Sequence, residues 1–132
     1  MRYMLDTNVC IDFMKGRSSS IRDKIASCAG EICISAITLS ELLYGVERSQ
    51  NRLYNLIVLQ KFLAGIEILD YSNSCAAQYG SIRAELASCG EMIGPMDLLI
   101  ASHALSEGLI LITHNTREFS RVEGLIIEDW YE

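Results

Sequence analysis

Four side chains in this sequence could do chemistry together: Asp6, Glu41, Asp97 and Asn115. Asp6 ends a short apolar run, Arg2 to Leu5, that reads as a strand. An acid at the end of a buried strand is costly unless it is paired, hydrogen-bonded or bound to a metal. Carboxylates brought together repel, so some must protonate or share a cation. Clustered oxygen donors suit Mg²⁺ or Mn²⁺. Such an ion can activate a bound water and stabilise a phosphoryl oxygen, which is what phosphodiester hydrolysis needs. Zinc is disfavoured, because His103 and His114 are eleven apart with no cysteine pairing visible in the spacing.

The four residues can act together only if the fold assembles them. Short apolar runs at Arg2 to Leu5, Glu31 to Ser35, Ile66 to Leu69, Leu109 to Ile112 and Leu125 to Ile127 read as strands. Between them lie helical patterns: Asn8 to Lys15, a helix capped by Ser18 to Ser20, one opened by Thr38, a longer one opened by Asn51, and one from Ser72 or Ser74 to Ser88. Pro95 starts a further helix, where its missing N–H does no harm, and Asn115 to Phe119 makes a short turn of helix. Alternation of this kind predicts an α/β fold, a mostly parallel sheet of about five strands with helices on both faces. No linker or repeat divides residues 1–132, so one domain is expected.

In such sheets ligands bind beyond the carboxyl ends of the strands. Asp6 ends strand one, Glu41 follows strand two, and Asn115 follows the Leu109 to Ile112 strand. The Pro95 helix leads into that strand, so Asp97 in its first turn should start at the same edge. Each residue also has a plain explanation. Thr38-x-x-Glu41 is a capping box. Asp97 would suit a helix dipole, and Asn115-x-x-Glu118 or Asp6, Thr7 and Asn8 could cap the helices they precede. Taken together, caps do not require three acids to meet at one sheet edge.

Composition excludes several classes. Half the residues are hydrophobic and 21% are charged, which rules against disorder. Net charge is −6, unlike a bulk electrostatic nucleic-acid binder, though net charge says little about one cleft. Nothing resembles a secretory signal, and no apolar run approaches the roughly 18 residues of a membrane span, so a cytoplasmic protein is expected. Five cysteines in no C-x-x-C arrangement read as reduced core thiols.

Four stretches now stand in order: Met4-Leu5-Asp6-Thr7-Asn8, Ser40-Glu41-Leu42-Leu43-Tyr44-Gly45, Ile93 through Ala101 with Pro95 and Asp97, and Leu111 through Phe119 with Thr113, His114, Asn115 and Arg117. Together they resemble a PIN-domain ribonuclease, and more closely the VapC toxins of VapBC toxin–antitoxin pairs. The resemblance covers the whole chain. It implies a Mg²⁺- or Mn²⁺-dependent endoribonuclease with Asp6, Glu41 and Asp97 on the family's metal-binding positions. Asn115 falls where many PIN domains carry a fourth acid, and Thr113 on the hydroxyl residue before it. An amide there departs from the pattern and argues for one well-bound ion. Thr7, Asn8 and His114 are supporting candidates, and Lys15, Arg83 and Arg117 are candidate phosphate contacts. The resemblance further implies a VapB-type antitoxin that reaches the acidic site with a basic side chain, a homodimer, and DNA binding only through the antitoxin. The L-D-T-N and T-x-N-T-R-E-F wording implies initiator tRNA, cut in its anticodon loop, as substrate.

Two rivals share the architecture. A receiver-like phosphoacceptor module would want paired acids after strand one, a lone acid after strand three, where Asp70 stands, and a Lys after strand five, where Glu128 and Asp129 stand instead. A non-catalytic interaction protein would have no use for Asp6, Glu41 and Asp97.

Overall fold

The computed structural model describes residues 2–131. Its strands are β1 (Tyr3–Leu5), β2 (Ile32–Ser35), β3 (Glu67–Leu69), β4 (Ile110–Ile112) and β5 (Ile127–Glu128). Its helices are α1 (Thr7–Met14), α2 (Ser19–Ser27), α3 (Ala36–Glu47), α4 (Arg52–Leu63), α5 (Asn73–Cys89), α6 (Pro95–Glu107) and α7 (Thr116–Phe119). The strands form one sheet in the order β3-β2-β1-β4-β5, and every pairing is parallel. The chain therefore winds outward from β1 to β3, then returns to the other side of β1 for β4. That reversal leaves a crevice at the carboxyl ends of β1 and β4, where the two halves of the sheet diverge.

The period-2 alternation of the strands sorts the core onto two faces. Met4, Cys33 and Leu111 point to the side covered by α5, α6 and α7, with Leu86, Ile100, Ala104 and Phe119. Leu5, Ile32, Ile34 and Ile112 point to the other side, with Val9 and Cys10 of α1, Ile21 of α2, Leu42 of α3 and Leu59 of α4. Trp130 seals that second face at the end of the chain. Burial on both sides explains why the central strands read as continuous apolar runs.

Helix boundaries follow local chemistry. Ser18 caps α2, its hydroxyl accepting the Ile21 N–H at 3.2 Å. Gly108 closes α6 in the left-handed region at φ 67°, which lets the chain turn directly into β4. One expected boundary shifts. Thr38 does not open α3: the helix starts at Ala36, and Ser35 caps it by accepting the Ile37 N–H at 3.0 Å. Ser35 is both the last residue of β2 and the cap, so strand passes to helix without a loop. Thr38 sits fully buried inside the first turn.

Candidate active site

Asp6 follows β1 immediately and is only 5% exposed. Its Oδ1 accepts the Val9 N–H at 2.9 Å, so it does cap α1. That bond accounts for one oxygen and does not neutralise the charge. Burial pushes the carboxyl above the ordinary range, with the nearby charges of Asp12 and Glu41 adding to the rise, while the Thr113 hydroxyl and the Val9 N–H oppose it.

Glu41 is not part of a capping box. With α3 starting at Ala36, it falls in the second turn, beyond the reach of the terminal N–H groups. Its Oε1 instead accepts the Thr7 hydroxyl at 2.6 Å. Thr7 opens α1 one residue after Asp6, and its Oγ1 also lies 3.3 Å from the Thr38 hydroxyl. This bond crosses from α1 to α3 and holds Glu41 toward Asp6. Thr7 is thereby a positioning residue for a carboxylate.

Asp97 stands in the first turn of α6, after Pro95 at the helix start and Gly94 at the cap. A Cβ on Gly94 would sit 3.6 Å from Asp97 Oδ2, an ordinary van der Waals contact, so this backbone passes close beside the carboxylate. Its pKa is raised to about 6, first by burial and then by the charges of Glu118, Asp6 and Glu41. The start of α6 and the ends of β1 and β2 thus meet at one edge, as the parallel connection requires.

The strongest charge on Asp97 comes from Glu118, which the sequence presented only as a partner for a helix cap. Its Oε1 accepts the Gly94 N–H at 3.3 Å and its Oε2 accepts the Asn115 amide at 2.9 Å. Those two donors hold it below the usual carboxylate range. Asn115 gives no side-chain cap to α7; its own N–H donates to the Thr113 hydroxyl at 2.9 Å. The amide therefore fixes a fourth acid instead of serving as one. The signal was available in sequence, since Glu118 lies one helical turn from Asn115.

Among the described residues no salt bridge reaches Asp6, Glu41, Asp97 or Glu118. Their carboxylate oxygens are the hard donors that a divalent cation takes, but among the described residues no three of these acids bring ligand atoms within 4.8 Å of one another.

The other sequence candidates scatter. Thr113 is buried beneath the site, beside Asp6. His114 is exposed, with Nδ1 3.0 Å from Asp129 and its ring against Tyr131 at 4.5 Å. Tyr131 in turn donates its hydroxyl to Asp12 of α1. Asn8 and Lys15 line an open groove of about 820 Å³ that runs from Thr7 and Glu41 to Tyr44 and Tyr54. Arg117 is exposed on α7. Arg83 is turned to its own helix, donating to the Tyr79 hydroxyl at 2.8 Å, and no hydrogen bond or ion pair among the described residues ties it to the acids.

Comparison with known proteins agrees with this architecture. The family model described as PIN domain matches residues 3–125. The tRNA(fMet)-specific endonuclease VapC of Shigella flexneri is 49% identical over 130 residues, covering 98% of each chain. Ribonuclease VapC2 of Haemophilus influenzae is 46% identical with the same coverage. Among solved structures, DNA-bound VapBC from Salmonella typhimurium superposes with a TM-score of 0.95 at 46% identity over 98% of each chain. VapBC2 from Rickettsia felis, bound to a promoter DNA fragment, gives 0.94 at 42% over 98% of this chain and 99% of that one.

Proposed function

The chain belongs to the PIN-domain family, in its VapC ribonuclease branch, and we propose that it cuts initiator tRNA in the anticodon loop as the toxin of a VapBC pair. Asp6, Glu41 and Asp97, with Glu118 beside them, would hold the Mg²⁺ or Mn²⁺ that the branch implies. The observation that carries this is the convergence of the charges of Asp6, Glu41 and Glu118 on Asp97, with no basic partner among the described residues.

A bound divalent ion would offset the mutual repulsion of these acids and supply Lewis-acid stabilisation at the scissile phosphate. The chain's own residues do the rest. Thr7 orients Glu41, and Asn115 with the Gly94 N–H orients Glu118. Without an ion, burial and then the charges of Glu118, Asp6 and Glu41 hold the Asp97 carboxyl at about 6, and a bound cation would favour its ionised form. The open groove beside Glu41 gives an extended polymer room to reach the acids.

That groove also supports a VapB-type antitoxin as partner. Tyr44 and Tyr54 on it are 68% and 61% exposed, and Leu53 and Ile57 lie exposed on the same α4 helix. Exposed aromatics flanking an acidic cleft suit a segment that is apolar along its length and basic at its tip. The solved relatives named above are toxin–antitoxin complexes, and any DNA contact would come through the antitoxin. A homodimer and a cytoplasmic location belong to the same reading. Among the described residues no helix is long and apolar enough to cross a membrane.

The receiver-like alternative loses its geometry. Asp70 follows β3, which is an edge strand separated from β1 by β2. A phosphoacceptor there would stand away from Asp6.

The test is cleavage of total tRNA by chain freed of antitoxin, with Mg²⁺ or Mn²⁺, and mapping of the new ends. Cuts in the initiator anticodon loop, lost with chelator and with Asp6→Asn, are expected. Failure to cut any RNA in either metal refutes the ribonuclease reading. Cuts in another RNA refute only the substrate.

A further inference from the structure

A second cluster of ligating groups lies away from the acid crevice, on the face where α5 packs on α6. His103 is six residues beyond Asp97 on α6, about 9 Å along the helix axis. It is fully buried. Its Nδ1 lies 2.7 Å from Ser35 Oγ, which also accepts the Ile37 N–H. Its Nε2 is buried with no hydrogen-bond partner among the described residues. A buried ring nitrogen left bare is rare and needs a reason.

Two groups surround it. Glu107 follows His103 by four residues, so both face the same way from α6. Cys75, fully buried, comes from the first turn of α5. A ring nitrogen of His103, the Cys75 thiol and a Glu107 carboxylate oxygen all lie within 4.8 Å of one another. The Tyr71 ring stands edge-on to the imidazole at 5.6 Å and 86°, fixing its plane.

We propose that Cys75, His103 and Glu107 form a transition-metal site that takes one Zn²⁺ and clamps α5 to α6. Thiolate and imidazole donors select a soft or borderline ion over Mg²⁺. The Nδ1 contact to Ser35 is the outer bond that a metal-bound histidine makes, leaving Nε2 as the ligand. Zinc bonds of about 2.0–2.3 Å place tetrahedral donors roughly 3.3–3.8 Å apart. Glu107 is exposed, so its arm can swing in to close the set, and water takes the fourth position. Binding releases the Cys75 thiol proton to solvent. The cysteines that looked like inert core thiols in sequence include one whose partner is 28 residues away, a separation no spacing rule flags.

Co²⁺ substitution tests this, since a thiolate ligand adds a near-ultraviolet charge-transfer band that carboxylates cannot give. The full chain is used with Cys28→Ser and Cys89→Ser, to remove the more accessible thiols, and with excess Mg²⁺ to occupy the acid crevice. One equivalent of Co²⁺ should raise the band, and Zn²⁺ should abolish it. Cys75→Ser should remove it, and Glu107→Gln, a change at an exposed position, should weaken Co²⁺ binding at least about tenfold. Zn²⁺ at about a hundred times its Kd should raise the melting temperature by roughly 5–10 °C. Absence of the band, or a band that survives Cys75→Ser, overturns the proposal.

Discussion

Asp97→Asn should make the metal-free protein more stable while ending its activity. In the folded chain burial, followed by the charges of Glu118, Asp6 and Glu41, moves the Asp97 carboxyl from 3.8 to about 6. A group whose folded pKa is raised holds its proton more tightly in the native state. The ionised form therefore costs stability above pH 6, and the penalty disappears as pH falls below 4. At ~1.36 kcal/mol per pH unit, the shift corresponds to about 3 kcal/mol. Asp97 is partly solvated, so screening reduces this to roughly 1–2 kcal/mol. For a chain of this size that is a rise of about 3–8 °C in melting temperature.

The assay is thermal unfolding followed by circular dichroism in chelator at pH 7.5 and pH 5. Wild type should gain stability on acidification through this window, with Asp6 contributing in the same direction. Asp97→Asn should start higher at pH 7.5 and gain less. Adding Mg²⁺ should stabilise wild type and leave the variant nearly unchanged. A variant that melts below wild type in chelator at pH 7.5 refutes the argument. It would mean that Asp97 stabilises the start of α6 through the helix dipole more than it suffers from its neighbours.

Thr7→Val keeps the shape of the α1 start but removes the 2.6 Å bond to Glu41; metal affinity, read by calorimetry, should fall about 10–100-fold with little change in melting temperature. Glu118→Gln should lower the Asp97 pKa, because it removes the strongest charge acting on it; the pH dependence of chelated stability should flatten, and cleavage rate should drop. Asn115→Asp should do the reverse, losing the amide that holds Glu118 and adding a charge, so that metal-free melting falls by several degrees. Tyr54→Asp, at an exposed groove position, should weaken antitoxin binding by at least about tenfold in titration calorimetry.

Much of this was legible in the sequence, and the gaps have physical causes. The α/β class followed from alternating short apolar runs and helical patterns, because the central strands are buried on both faces and read as continuous apolar runs. Boundaries were less secure where one residue serves two elements. Ser35 ends β2 and caps α3, so Thr38, the next hydroxyl in line, took its place in the reading. That displacement created a false capping box around Glu41. Correcting it strengthens the functional case, since Glu41 loses its ordinary explanation and gains the Thr7 bond.

Glu118 shows the opposite difficulty. The Asn115-x-x-Glu118 pattern satisfies a local capping rule, which by itself accounts for both residues. Sequence spacing gives contacts within a helix turn but not the loop before α6 that brings Gly94 against the same carboxylate. Asp6 combines both situations: it caps α1 and is crowded by acids at once. One oxygen can meet the helix N–H groups while the net charge still requires a counterion. The capping and catalytic explanations, which looked like alternatives in the sequence, are therefore compatible. Caps bring the acids to the sheet edge because helices begin where parallel strands end, and the charge left unpaired there is what the proposed cation would offset.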